Sequence, residues 1–197
     1  MHKSTRLLVL GFCVLGIMVW SCHRTTPKAL RIVEINNGQI LTADTQDEWT
    51  TGSGEELEEH SETPSYSVEV EVSYTERGTG LPTYPTAYTA EITDYTVTFK
   101  DITPGATPGE FAPAPVKGVC YFVVPSDPAG KKTVKQSILV LPAAWIDQYP
   151  ELEDGKVLNA KITLRGKDII SNLDVTGEGI LTINIANFED DPNKRGE

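Results

Sequence analysis

The chain has 197 residues, with 28 acidic against 17 basic side chains and a formal net charge of −11 at pH 7. That surplus of acid argues against the basic surfaces that hold nucleic acid or anionic lipid headgroups, since both attract positive charge. The three histidines are His2, His23 and His60. All precede the regular part of the sequence, which disfavours Ser-His-Asp, Cys-His and histidine-zinc chemistry, each needing an imidazole beside the reacting atom. There is no GxSxG, HExxH, paired CxxC or Gly-rich strand-to-helix loop. No catalytic residue, cofactor or metal site is therefore expected.

In chain order, Met1 to Arg6 carries Lys3 and Arg6 without an acid, and Leu7 to Trp20 is an almost unbroken apolar run. This is the order of an export signal. The run is shorter than the roughly 20 apolar residues that cross a ~30 Å hydrocarbon core, and the polar His23 and Arg24 follow. Cleavage is expected over a membrane span. Val19-Trp20-Ser21-Cys22 resembles the lipobox of bacterial lipoproteins, in which an aliphatic, a variable and a small residue precede a cysteine. The resemblance implies that the Cys22 thiol accepts a diacylglycerol, that residues 1–21 are removed, and that Cys22 opens the mature chain. Trp20 is bulkier than is usual there. His23 stands where aspartate would favour inner-membrane retention in enterobacterial-type sorting, so the outer membrane is favoured. Attachment to a membrane must come from the lipid, because residues 22–197 carry 15 basic and 28 acidic side chains.

Residues 22–65 read as a tether, a short hairpin and an acidic flexible segment. In the hairpin, Asn37-Gly38 separates Ile32-Val33-Glu34-Ile35 from Ile40-Leu41, and a type I′ turn needs positive φ at both central residues. Asp44 to Pro64 holds eight acids and no Lys or Arg, with Glu55 to Glu62 the densest part. Like charges repel and apolar side chains are few there, so a solvated, mobile segment is expected.

From residue 66 to 190 the pattern is that of strands. Val68, Val70, Val72 and Tyr74 alternate with polar residues, the period of a half-buried strand. Ala90 and Ile92 are even-numbered while Tyr95, Val97 and Phe99 are odd, so a bulge near Asp94 is needed if both sets face the core. Val116 to Val124 and Val134 to Leu141 read as buried strands. The first contains Cys120, which is expected to be a small buried hydrophobe because Cys13 leaves with the signal and Cys22 carries lipid. Pro142 to Tyr149 reads as a helix of about two turns between prolines, with Trp145 and Tyr149 on one face plugging the end of the core. Val157 to Arg165 and Leu173 to Ala186 complete the set, the second keeping one phase through Leu173, Val175, Leu181, Ile183 and Ile185, with Gly177-Glu178-Gly179 allowing a bend between its halves. Residues 191–197 are a polar tail.

About seven strands with turn signals and one short helix fit an all-β antiparallel sandwich in which each sheet buries one face. The arrangement resembles an immunoglobulin or fibronectin type III domain without the inter-sheet disulfide. The stretches Tyr95 to Phe99 and Ala160 to Asp168 are also similar to strands of uncharacterised bacterial lipoproteins. The expected function is a membrane-anchored envelope lipoprotein acting as a non-catalytic binding or scaffolding module, with an envelope protein as partner. The alternative is carbohydrate binding through the aromatic residues Trp49, Tyr84 and Tyr88. Glu189-Asp190-Asp191 could offer oxygens to calcium, but without an EF-hand spacing it reads as solvated charge.

Overall fold

The computed structural model describes residues 29–53, 56–75, 89–107, 109–127 and 131–188. Ten strands follow in chain order: β1 Ala29–Ile35, β2 Leu41–Asp44, β3 Asp47–Ser53, β4 Glu56–Glu62, β5 Tyr66–Thr75, β6 Thr89–Asp101, β7 Val116–Pro125, β8 Val134–Leu141, β9 Lys156–Asp168 and β10 Asp174–Ala186. A single turn of α-helix, α1 (Ala143–Ile146), and a 3-10 turn at Pro150–Leu152 link β8 to β9. Eight strands form two facing sheets, one in the order β1-β5-β8 and the other in the order β2-β10-β9-β6-β7. All pairings within them are antiparallel except the parallel match of β2 with β10. The protein is an all-β sandwich.

The core follows the alternation of the sequence. Val68, Val70, Val72 and Tyr74 of β5 are all buried, facing Ile162, Leu164, Leu181 and Ile183 of the other sheet among others. The phase change in β6 is accommodated as expected. Both its pairings shift register between Ile92 and Asp94: Thr93 is the extra residue against β9, while against β7 the extra residue lies on β7 between Val119 and Phe122, and Ala90, Ile92, Tyr95 and Val97 of β6 are buried on either side of the shift. A continuous 13-residue strand replaces the two short ones read from the sequence.

The N-terminal segment departs from expectation. Asn36, Asn37 and Gly38 do take positive φ (51°, 51° and 72°), but the turn does not close a hairpin. β1 pairs with β5 in one sheet and β2 with β10 in the other. Each flank finds a better partner in the core than in its neighbour: β1 buries Leu30 and Ile35, and β2 buries Ala43 completely. Strands β1 and β2, ahead of residue 66, thus belong to the two sheets of the sandwich. The acidic segment also has regular structure. β3 and β4 pair as a two-stranded ribbon outside both sheets, with Trp49 opposite His60.

β10 is one continuous strand through Gly177 and Gly179, as its unbroken phase predicts. The two glycines also give room: a Cβ on Gly179 would come within 2.8 Å of Ile35 Cδ1, and one on Gly177 within 3.1 Å of Leu30 Cγ. The bare backbone there lets β1 close over the second sheet. The helix is shorter than two turns, because Pro142 sits outside it as the cap and Pro150 starts a separate 3-10 turn. Its aromatic residues nevertheless plug the core. Trp145 Nε1 donates to the Ala114 carbonyl (2.8 Å), Tyr149 Oη accepts from the Ala114 amide (2.7 Å), and Trp145 lies against Phe99 with centroids 4.5 Å apart.

Candidate binding surface

β7 is an edge strand, paired only with β6 among the described residues. Both faces of Val116 to Val124 were read as buried, but only the even positions are. Val116, Phe122 and Val124 are buried, while Val119 is 91% exposed and Tyr121 69% exposed, with Val123 beside them at the surface. A strand buried on both sides would need a second layer over it, and none of the described elements covers this face. Exposed edges usually carry Lys, Pro or bulges that deter pairing. Between Lys117 and Pro125, β7 has neither charge nor proline, and its one irregularity is the extra residue where Cys120 and Tyr121 stand against Thr93 of β6.

The neighbouring strands give this edge a polar border. On β6, Glu91 lies opposite Val123 and Asp94 opposite Val119. The charge of Glu91, which is also hydrogen-bonded with the Tyr121 hydroxyl, pushes the phenol above its ordinary pKa. One strand further in, Arg165 approaches Asp94 (3.6 Å) and donates to Thr96 Oγ1 (3.0 Å), and Lys161 meets Glu178 at 2.8 Å. An apolar strip flanked by paired charges is the layout of a protein contact surface, with an apolar centre and a polar rim.

Cys120 lies on the inner side of this strand, half-buried against the core. Burial first, and the nearby charge of Asp94 second, push its thiol up to about 11. The thiolate is the reactive form. Alkylation of folded protein by iodoacetamide at pH 8 is therefore expected to be about a hundredfold slower than that of the unfolded chain, and to accelerate only as pH approaches 11. Equal rates for folded and urea-unfolded protein would show that the thiol is open to solvent. Tyr95, packed beside Cys120, donates its hydroxyl to the Leu139 carbonyl (3.0 Å) and so ties β6 to β8 across the two sheets; burial raises its pKa.

Several residues singled out in the sequence lie outside the described ones: Cys22, Tyr84, Tyr88, Glu55 and Glu189-Asp190-Asp191, together with the side chain of Trp49. His60 lies in the outer ribbon, remote from β7 in the chain. Among the described residues, no three His, Cys, Asp or Glu side chains cluster as metal ligands, and no helix is long and apolar enough to cross a membrane. The surface on β7 was missed in the sequence because an apolar run cannot say whether one face or both will be covered. The chain matches no protein-family model, no curated protein and no solved structure.

Proposed function

We propose that this chain is an envelope lipoprotein, attached by lipid at Cys22, whose sandwich acts without catalysis as a binding or scaffolding module through the β7 edge. The observation that carries the binding role is the exposed row Val119, Tyr121 and Val123 on an edge strand. An extended segment of a protein partner can add to such an edge, with main-chain hydrogen bonds supplying affinity and the apolar row supplying selection. The anchoring rests on the ordered signal Lys3, Arg6, Leu7 to Trp20 and Ser21-Cys22. The outer membrane is its proposed location.

The strand order supports a finer likeness to immunoglobulin domains. A sheet β1-β5-β8 facing β2-β10-β9-β6-β7 corresponds to strands A, B and E over A′, G, F, C and C′, with the first strand divided between the sheets. The β3–β4 ribbon is then an insertion before strand B, and no strand D occurs among the described residues.

Two measurements test the proposal. In cells, Cys22→Ser is expected to abolish the acyl mass on the N-terminal peptide and release the protein from membranes; unchanged partitioning would refute the anchoring. Crosslinking and capture from envelope extract is then compared for the native chain and for Val119→Lys/Tyr121→Lys, a change confined to exposed positions. Specific proteins present with the first and lost with the second support the edge as the binding surface. Identical captures, or retention on polysaccharide columns in place of protein partners, would overturn it in favour of the glycan reading.

A further inference from the structure

The two ends of the sandwich differ in a way that bears on how it sits over a membrane. Ala29 pairs with Thr75, the last residue of β5. At the same end, Ser126 bridges to Tyr74, Thr89 pairs with Pro125, and the Ile169 amide donates to the Thr89 carbonyl. The β9–β10 turn therefore projects from the end at which the chain enters from Cys22. The helical crossover, the β6–β7 connection and the β3–β4 ribbon begin from the opposite end, where Tyr66 pairs with Leu141, Asp101 with Leu158 and Asp44 with Ala186.

That turn is unusual in what it exposes. Asp168 is wholly buried and accepts from Tyr74 Oη (2.6 Å) at one oxygen and from the Ser171 amide (2.7 Å) and hydroxyl (2.8 Å) at the other. The Asn172 amide donates to the Asp168 carbonyl (2.8 Å), and the Asp168 amide to the Leu173 carbonyl (2.9 Å). With the polar groups drawn inward, Ile169, Ile170 and Leu173 are left 54%, 57% and 50% exposed. Solvated turns are normally built from small polar residues. Three large aliphatic side chains held outward by a fixed hydrogen-bond frame need an apolar medium to face.

Tether length and charge say which medium. Six residues separate Cys22 from Ala29, and the steps between the two, at about 3.3–3.6 Å each, span at most roughly 25 Å. The long strands have 13 residues, or roughly 40 Å at ~3.3 Å per residue. A lipid on Cys22 thus leaves the β9–β10 end within reach of the bilayer and the far end out of it. The exposed Arg31, Lys131, Lys132 and Lys167 at the near end offset Glu91, Asp127 and Asp174, and the tether adds Arg24 and Lys28 without an acid. The far end is acidic, with Asp101, Glu110, Asp147, Glu151, Glu153 and Asp154 against Lys100 and Lys156. Only the near end can approach phospholipid headgroups without repulsion.

We infer that Ile169, Ile170 and Leu173 form a second membrane contact, inserting into the headgroup region of the phospholipid bilayer beside the lipid on Cys22 and setting the long axis of the sandwich away from the surface. The inference rests on the lipoprotein reading above. A lipid on Cys22 as the sole attachment would leave the domain free to tumble about that point, whereas a second, rigid contact fixes which faces are presented outward. The β7 edge, running along the side of the sandwich, would then stand upright.

The test uses the full lipidated chain in 3:1 phosphatidylcholine/phosphatidylglycerol vesicles. A spin label is placed at Ile170→Cys, and another at Glu153→Cys as a far-end reference, both with Cys120→Ser; oxygen and nickel-chelate accessibilities report depth. An oxygen-favoured environment at 170 and an aqueous one at 153 is the expected result. An aqueous label at 170 on chains whose mass shows the acyl group overturns the inference and leaves the lipoprotein reading standing. Absence of the acyl mass overturns that reading instead, and the inference is then judged by co-sedimentation of the Cys22→Ser chain with the same vesicles. There the partition coefficient is expected to fall about tenfold in Ile169→Glu/Ile170→Glu, with unchanged circular dichroism. No difference between the two overturns the membrane contact.

Discussion

Asp168→Ala is expected to lower stability by about 3–4 kcal/mol, read as a lower urea midpoint at unchanged m-value. The carboxylate is completely buried and receives three hydrogen bonds, from Tyr74 Oη and from the amide and hydroxyl of Ser171. Removing it takes a buried acceptor away from the Tyr74 hydroxyl and from Ser171. Each unsatisfied buried polar group costs about 1–3 kcal/mol, and the shortened side chain adds a void. Asp168→Asn keeps an acceptor for Ser171 and the shape of the group, while Tyr74 can rotate its hydroxyl to accept. Its cost should be nearer 1–2 kcal/mol. A loss below about 1 kcal/mol for the alanine variant would mean that the turn is held by backbone pairing alone.

Gly166→Val is expected to be at least as damaging, by about 3 kcal/mol or more, or to abolish folding. Gly166 pairs with Ile92 where β6 bulges. A Cβ there would overlap the Glu91 carbonyl oxygen and lie 2.8 Å from Ile92 Cα. These are backbone atoms and cannot swing aside like a side-chain tip. Relief requires separating β9 from β6 in the middle of the larger sheet, which breaks ladder hydrogen bonds on both flanks. Thermal unfolding compared with Lys167→Ala, a neighbouring exposed change, provides the control. Similar melting temperatures for the two would show that the bulge is soft.

The strands with a regular beat were legible in the sequence because period two follows directly from the pleat: Val68 to Tyr74 and Leu181 to Ile185 are buried as read. The bulge at Thr93 was legible as well, since a parity change between Ile92 and Tyr95 has few other remedies. What failed was pairing. Asn37-Gly38 reports local backbone conformation, and the positive φ was right, but whether β1 meets β2 or β5 is decided by buried area elsewhere in the chain. The acidic ribbon escaped notice because its charges argue against a core, and two strands paired outside the sheets do not need one. At the candidate surface, Val119, Tyr121 and Val123 look in sequence like their buried neighbours. Leu173, read with the inward set, falls just before β10 and is exposed. Only the placement of the two sheets separates the one kind from the other.

The parallel ladder between Leu41–Asp44 and Ile183–Ala186 joins positions more than 140 residues apart in the chain. During synthesis the first of these segments has no mate until nearly the whole polypeptide has been made, so the sandwich closes late and in one step. Contacts of such high sequence separation fold slowly. Until the final strand arrives, the unpaired flank of β9 and the apolar side chains destined for the interior remain accessible to chaperones, proteases and other nascent chains. A truncation that stops at residue 173 would thus deprive both β9 and β2 of their partner, and would be cleared as an unfolded species despite retaining most of its interior side chains.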